Sequence, residues 1–335
     1  MAVIFRPSTI SAMWDTWILH DAGTWHLFYL VTERGLGEGI GLATSPDGVH
    51  FRDEGPVLSQ SREALWLGTG STWRAPGTDT DRPYVMNFSE WIGRDQVIRF
   101  AESRDLRTWT RLPDLDFPID ARWHTATPRR WSPLFAPRSM LLMYAALGLG
   151  LVGRWDSIHA VPREDGGFWG FWTATPRGRP GFGFGQSPDG RRWQALPPPA
   201  IDWGPLPPPS DVELGAVERI GDRWFALVGS VANRGMLALI ADRPEGPWRL
   251  APRNANVLGS GSLRLNTYYA RFCRGADGSV LVHHHSIARR LTRRLRPVCA
   301  LAPLKRAVPD DDGTLRLAWW EGNDALRGDP RPFDP

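Results

Sequence analysis

TSPDGVHF, residues 44–51, is a short polar turn that closes on an aromatic residue, and its plan recurs along the chain. ESRDLRTW (102–109), QSPDGRRW (186–193) and ADRPEGPW (241–248) repeat it. A second element accompanies it, a turn that runs into an aromatic or apolar strand. It reads DAGTWHLFYLV (21–31), DRPYVMNFSEW (81–91), EDGGFWGFWTA (164–174), IGDRWFALVGS (220–230) and ADGSVLVHHHS (276–286). The closing aromatics fall at 51, 109, 193 and 248, so the intervals are 58, 84 and 55 residues. The long interval predicts an insertion, placed at about 120–152.

Apolar and polar residues alternate between Gly and Asp turns, which is the pattern of antiparallel strands. No window carries a sustained helical period. About four strands repeated every 55 residues or so make a propeller blade. Five such units predict an all-β fold, a five-bladed β-propeller spanning residues 1–335 as a single domain. The segment from about 290 to 335 would close or cover it.

Composition agrees with a globular chain. Of 335 residues, 42% are hydrophobic and 23% charged, with 18 Trp, 35 Gly and 30 Pro against 6 Met. The formal charge of +4 is scattered, apart from IARRLTRRLR at 287–296, which reads as a solvated edge. Nucleic-acid binding would need a basic face with interleaved aromatics, so none is expected. Cys273 and Cys299 give neither a metal spacing nor a disulfide framework. The longest apolar run, 140–153, is too short to cross a bilayer. The first residues carry no secretory pattern, and a cytoplasmic location is the expectation.

In a propeller the first strand of each blade lines the central channel. Reading back from each aromatic strand gives MWDTW with Asp15, WLGTGSTW (66–73) with no acid, GRWDSIH (153–159) with Asp156, SDVELGA (210–216) with Glu213, and NTYYARF (266–272) with Tyr268, Tyr269 and Arg271. Three carboxylates therefore stand at matching places on blades one, three and four. Burying one without a partner is costly. Three together push one another towards mixed protonation. Glycoside hydrolysis needs such a set, one protonated carboxyl for the leaving oxygen and one ionised carboxylate as nucleophile or base. Asp211 shares a strand face with Glu213 and is its runner-up. Trp14, Trp17, Trp66, Trp73 and Trp155 flank these segments and offer faces for a sugar ring. Trp25, Trp109, Trp169, Trp193, Trp224 and Trp248 are expected to pack between blades.

On these residues the chain resembles the clan of glycoside hydrolase families 32, 43, 62 and 68, five-bladed propellers that act on furanosides. The likeness runs over roughly residues 12–290 and is nearest in style to family-32-like bacterial proteins. WLGTGS (66–71), ending in Ser71, resembles the blade-two Trp-x-Gly-Ser segment. RWDS (154–157) is similar to the Arg-Asp-Pro motif of the transition-state stabiliser, and DVEL (211–214) to the general-acid segment. The resemblance implies Asp15 as nucleophile or base, Asp156 as stabiliser and Glu213 as general acid. The chain departs from the pattern at Ser157, which replaces Pro, and at Arg154, one position off. It also lacks Cys-Pro after Glu213, and with few residues following the fifth blade the C-terminal sandwich of family 32 is not expected within residues 290–335. Retention or inversion stays open, and so do hydrolysis or transfer to a sugar acceptor.

His283 to His285 could suggest a metal, but no third ligand matches. No metal and no cofactor are therefore expected, and His285 is read as a sugar or water ligand, with Tyr268 and Arg271 beside it. GFGFGQS (181–187) lacks the Lys of a phosphate loop and reads as a blade turn. The insertion and the proline run at 197–211 are expected at the rim of the site, where the insertion either narrows the pocket or forms a homodimer contact. A sugar-binding propeller without catalysis is the reading from another functional class.

Overall fold

The strand units form five antiparallel sheets in this computed structural model. It describes residues 3–10, 12–32, 37–75, 81–93, 95–125, 154–205, 208–209, 212–230, 235–253, 255–259, 267–291 and 297–327. Blade one comprises Met13–Asp21, Thr24–Val31, Gly39–Ser45 and Arg52–Ser59, hydrogen-bonded in that order. Blade two is Ala64–Arg74, Tyr84–Ile92, Asp95–Ser103 and Thr110–Arg111, and blade three Trp155–Pro162, Phe168–Ala174, Gly183–Ser187 and Gln194–Leu196. Blade four, Glu213–Ile220, Arg223–Ser230, Gly235–Ala241 and Trp248–Leu250, gains Ile201–Asp202 outside its last strand and Asn256–Gly259 on its third. Blade five has Thr267–Arg274 and Val280–Leu291, the latter paired with both Pro297–Leu301 and Lys305–Pro309, and Leu315–Trp319 outermost. The first strands touch their neighbours all the way round, which makes a five-bladed β-propeller. Among the described residues no helix is long and apolar enough to cross a membrane.

The repeated aromatic has a physical task. Each one reaches back onto the preceding blade. Trp109 of blade two meets Phe28 of blade one edge-on at 6.1 Å, and Trp193 of blade three meets Trp73 of blade two at 5.8 Å. Trp248 of blade four packs on Phe171 and Phe182 of blade three, at 6.1 and 5.7 Å. Phe51 of blade one meets Phe5 at 6.1 Å. Phe5 in turn is bridged to Leu301 of blade five, with Leu301 N–H donating to its carbonyl at 2.9 Å. These edge-on contacts add to simple area burial. Four wedges thus fill four of the five interfaces. The fifth unit lacks the motif, and its junction with blade four is made differently. Leu315 and Ala307 pack with Ala238 and Ile240, and Arg253 pairs with Asp310 and Asp312 at 3.3 and 2.8 Å. Trp320 then leans on Trp25 of blade one at 5.5 Å.

Inner strands of neighbouring blades share no ladder, so side chains must satisfy the buried backbone between them. A polar side-chain bond spans every junction, and at three of the five it takes up backbone groups. Trp17 Nε1 donates to Thr72 Oγ1 at 2.9 Å between blades one and two. Asn87 joins blades two and three, donating to Ile158 O and accepting from Ile158 N–H, both at 2.8 Å. Leu214 N–H donates to Thr173 Oγ1 at 2.9 Å between three and four, and Tyr269 hydroxyl to Leu214 O at 3.2 Å between four and five. Thr16 Oγ1 and His283 Nδ1 lie 3.2 Å apart across the last junction. Gly215 lets blades four and five come this close, since a Cβ there would stand 2.1 Å from Ala270 O.

Asn87 is fully buried. Truncating it leaves the peptide N–H of Ile158 without a partner, while Ser71 still donates to Ile158 O, and such an orphan costs about 1–3 kcal/mol. Asn87→Ala should therefore lower stability by about 1–3 kcal/mol with an unchanged far-UV spectrum, read by urea denaturation.

Candidate active site

All five innermost strands are irregular at one level of the channel. The pairing register slips between Trp14 and Thr16, between Leu67 and Gly70, and between Leu214 and Ala216. It slips again between Tyr268 and Arg271, and opposite residues 156–159. A bulge leaves a residue outside the ladder and re-aims its side chain. Here the freed positions include Asp15, Thr69 and Tyr269. Ser157 and Tyr269 also adopt φ of +56° and +53°, a region that non-glycine residues enter at a cost. Proline, held near −65°, cannot take up the Ser157 conformation. That is the physical reason the residue after Asp156 is not proline in this chain.

The inner strands join Asp156 and Glu213 in one hydrogen-bonded cluster and set Asp15 within reach of their charges. Arg154 Nη2 donates to Asp156 Oδ2 and to Glu213 Oε1, both at 3.0 Å, so one guanidinium serves carboxylates of two blades. Asp156 Oδ1 accepts from Ser89 at 2.5 Å, and Ser89 accepts from Gln96 Nε2 at 3.0 Å. Gln96 also takes the Trp155 backbone N–H at 3.0 Å. Glu213 Oε2 accepts from the Tyr268 hydroxyl at 2.7 Å. Asp15 Oδ2 accepts from the Thr69 hydroxyl. Asp15 and Asp156 are buried, while the Glu213 side chain is 18% exposed and reaches the mouth.

Electrostatics separates the acids. Burial, aided by the Glu213 charge, pushes the Asp15 carboxyl up to about 7 from 3.8, against the Thr69 hydrogen bond. Burial also raises Asp156, opposed by the Arg154 charge and the Ser89 hydroxyl. Arg271 is buried in the channel, donates Nη1 to Gly70 O at 2.6 Å, and is lowered from 12.5 by burial, with Tyr269, Asp15 and Asp156 acting against the fall.

The expected sugar-facing residues divide. Trp14 and Trp66 are half-buried at the acid end. A Cβ on Gly68 would meet Ser89 Oγ at 2.4 Å, Trp66 Nε1 at 3.2 Å and Asp156 Oδ1 at 3.3 Å, so Gly68 lets the indole edge lie beside the acid. Tyr268 bonds Glu213 directly. His285 sits under Trp14, rings 5.6 Å apart, fully buried, held down at about 3 by burial. The remaining expectations are corrected. Trp17 stacks on Phe28 of its own blade at 5.7 Å, Trp73 is wedged by Trp193 of blade three, and Trp155 lies against Trp172 of its own blade at 5.1 Å, so their faces are covered by other rings. Ser71 donates to Ile158 O and accepts from Asn87, which makes it part of a clamp. Arg271 lies beneath the acids with its guanidinium turned to Gly70. Asp211, the basic run at 292–296 and most of the insertion fall outside the described residues.

The residues that reasoning from sequence passed over are Arg154, Thr69, Ser89 and Gln96. Arg154 alone left a signal, as the displaced Arg of RWDS. Among the described residues no group of three or more His, Cys, Asp or Glu converges as a metal site.

No family model matches the sequence, and no curated protein matches it. Solved structures do. Fructan 1-exohydrolase IIa from Cichorium intybus superposes with a TM-score of 0.65 at 17% identity, covering 98% of this chain and 62% of that one. The chain thus spans under two thirds of that enzyme. Levansucrase from B. subtilis gives 0.64 at 12% identity, covering 95% and 88%. A family-43 enzyme from Xanthomonas citri gives 0.61 at 13%, covering 93% of each chain. These likenesses establish the five-bladed propeller fold.

Asp15 binds its proton more tightly folded than unfolded. Its contribution to stability is whole below the unfolded value of 3.8 and is lost as pH rises through about 7. Asp15→Asn removes that dependence. The variant should gain on the wild type between pH 5 and 8, by about 2 kcal/mol at pH 8, in paired urea denaturations. Equal curves at every pH would refute the buried, proton-hungry Asp15.

Proposed function

We propose that this chain is a glycoside hydrolase acting on a furanoside at the acid end of its channel. The observation that carries the reading is the division of three adjacent carboxyls. Asp156 and Glu213 share the Arg154 cation, while Asp15 has only the Thr69 hydroxyl and stands near neutrality. A site with carboxyls in different protonation environments can both give and take a proton.

In this reading Glu213, the most exposed of the three and fixed by the Tyr268 hydroxyl and Arg154, takes up a proton from solvent at the mouth and passes it to the leaving oxygen. Asp15 in its ionised form acts on the anomeric carbon from the channel floor, directly as nucleophile or through a water. Asp156 stays paired and buried, and its charge steadies the oxocarbenium-like transition state. Trp14 and Trp66 wall the mouth and stack on the apolar face of the sugar. The fructan exohydrolase and levansucrase among the structural neighbours support a furanoside as the substrate class.

The test is a hydrolysis screen on aryl furanosides, short fructans and arabinans. Wild type should release sugar. Asp15→Asn and Glu213→Gln should fold and each lose at least about 100-fold in kcat/KM. Sugar affinity without turnover, unchanged in Glu213→Gln, would leave a binding propeller in place of an enzyme.

The pH profile separates the roles. The free protein's ionisations govern kcat/KM. With ionised Asp15 as the working form, kcat/KM falls as pH drops through about 7. A fall as pH rises through the same value would make Asp15 the proton donor and exchange its role with Glu213.

Arg154→Met tests the shared cation. It leaves Asp156 and Glu213 facing each other without their counter-charge, and should cost at least about 100-fold in kcat while the protein stays folded.

A further inference from the structure

The channel has a second end. Continuing along the inner strands away from the acids leads to Ile18 on blade one, Thr72 on blade two, His159 and Ala160 on blade three and Phe272 on blade five. These residues line a cavity with about 40 Å³ open to water-sized centres, together with Trp17, Ser71, Trp73 and Arg271. Thr72, His159 and Ala160 at its rim are partly exposed, so it communicates with solvent. A site of this size takes one or two waters or a monatomic ion.

Its one charged lining group is a cation. Arg271 is 1% exposed, and among the described residues its hydrogen bond is the single one from Nη1 to Gly70 O, with the Tyr269 ring 5.7 Å from its guanidinium carbon. A guanidinium carries five N–H donors, and this one borders the cavity. Its other N–H groups have no protein hydrogen-bond partner among the described residues. Thr72 Oγ1 accepts from Trp17 Nε1, which leaves its own hydroxyl proton to donate. His159 gives its ring N–H to the Val217 backbone and stays neutral, held down at about 3 by burial and by the Arg271 charge, so its unpartnered Nδ1 is an acceptor and the donors here are Arg271 and Thr72. The carboxylates whose charges reach Arg271 are Asp15 and Asp156, and both lie on its other side, in the acid cluster.

We infer that this lower cavity binds a small monovalent inorganic anion, held by Arg271 and the Thr72 hydroxyl, at a site separate from the three carboxyls. The anion meets N–H groups that the protein itself leaves unsatisfied. It neutralises a guanidinium that the folded chain has already taken out of water. A sugar is excluded by size. A metal cation is excluded by the arginine. The inference does not rest on the glycosidase reading, because no substrate enters its test.

The protein is dialysed into sodium gluconate, and chloride or bromide replaces gluconate at constant ionic strength while Tm is followed. An ion that binds only the folded state raises stability by mass action. Wild type should gain roughly 2 °C or more, saturably, with either halide. Arg271→Met should lose the gain. Thr72→Val, which keeps the volume, should weaken the apparent affinity several-fold and serves if the arginine variant does not fold. Crystals soaked in bromide should show an anomalous peak beside Arg271. No halide-specific rise in wild type would overturn the inference and leave the cavity to water. A rise preserved in both variants, or a bromide peak elsewhere only, would overturn it equally.

Discussion

Everything in this propeller hangs on the gaps between blades. A blade satisfies its own backbone through its ladder, but neighbouring inner strands face each other with no ladder between them. Buried peptide groups there must find side chains. The chain meets the constraint at three junctions, with Asn87 on Ile158, Thr173 on Leu214 and Tyr269 on Leu214, and clamps the other two side chain to side chain, Trp17 with Thr72 and Thr16 with His283. The clamps fix the rotation of each blade about the channel. That rotation in turn decides which inner-strand side chains converge.

The acids sit directly on the clamps. Asp15 precedes Thr16, Asp156 comes two residues before Ile158, and Glu213 precedes Leu214. Each carboxyl is one or two residues from a residue that a neighbouring blade holds. This is why the cluster can be tight without flying apart by repulsion. The charges are carried on elements whose placement is over-determined by neutral hydrogen bonds and by aromatic wedges further out. Arg154 then needs to bridge only two carboxylates that are already adjacent. Its guanidinium suits the task, since its donors splay in a fixed plane.

Much of this was legible before any coordinates. The turn ending in an aromatic marks each blade's outer edge because that aromatic must cross to the next blade, and a side chain with that duty recurs at blade spacing. The break at the fifth unit was also in the sequence, because no fifth such turn follows residue 276. Asp15, Asp156 and Glu213 could be found from their place ahead of the aromatic strands. What could not be read was orientation. Trp14 and Trp17 are three apart on one strand, so alternation would set them on opposite faces, but the bulge at Asp15 returns both to one face, Trp14 beside His285 and Trp17 against Phe28. Trp155 stands next to Asp156 and so points away from it, into Trp172 and Phe117. Strand alternation implies that opposition, but a slip in register moves every assignment beyond it. Thr69, Ser89 and Gln96 left no signal, because small polar residues act here only through partners 54 to 67 positions away.

Arg271 shows how the same geometry yields two different environments in one channel. It lies between the carboxyl cluster and the lower cavity, fully enclosed, and it is tied to blade two by Gly70 O. From above it offers the acids a positive field. That field lowers Asp15, but it is outweighed by burial and by the Glu213 charge, which is why Asp15 still stands near 7. The balance follows from distance and screening by intervening groups. Asp156 and Glu213 touch a cation directly through Arg154, whereas Asp15 touches only a hydroxyl. A carboxyl that meets its nearest positive charge through the channel rather than through a hydrogen bond is held up by its burial. The propeller places one such carboxyl beside two that are directly paired with Arg154, so groups of one chemical type stand in unlike surroundings at one end of one channel.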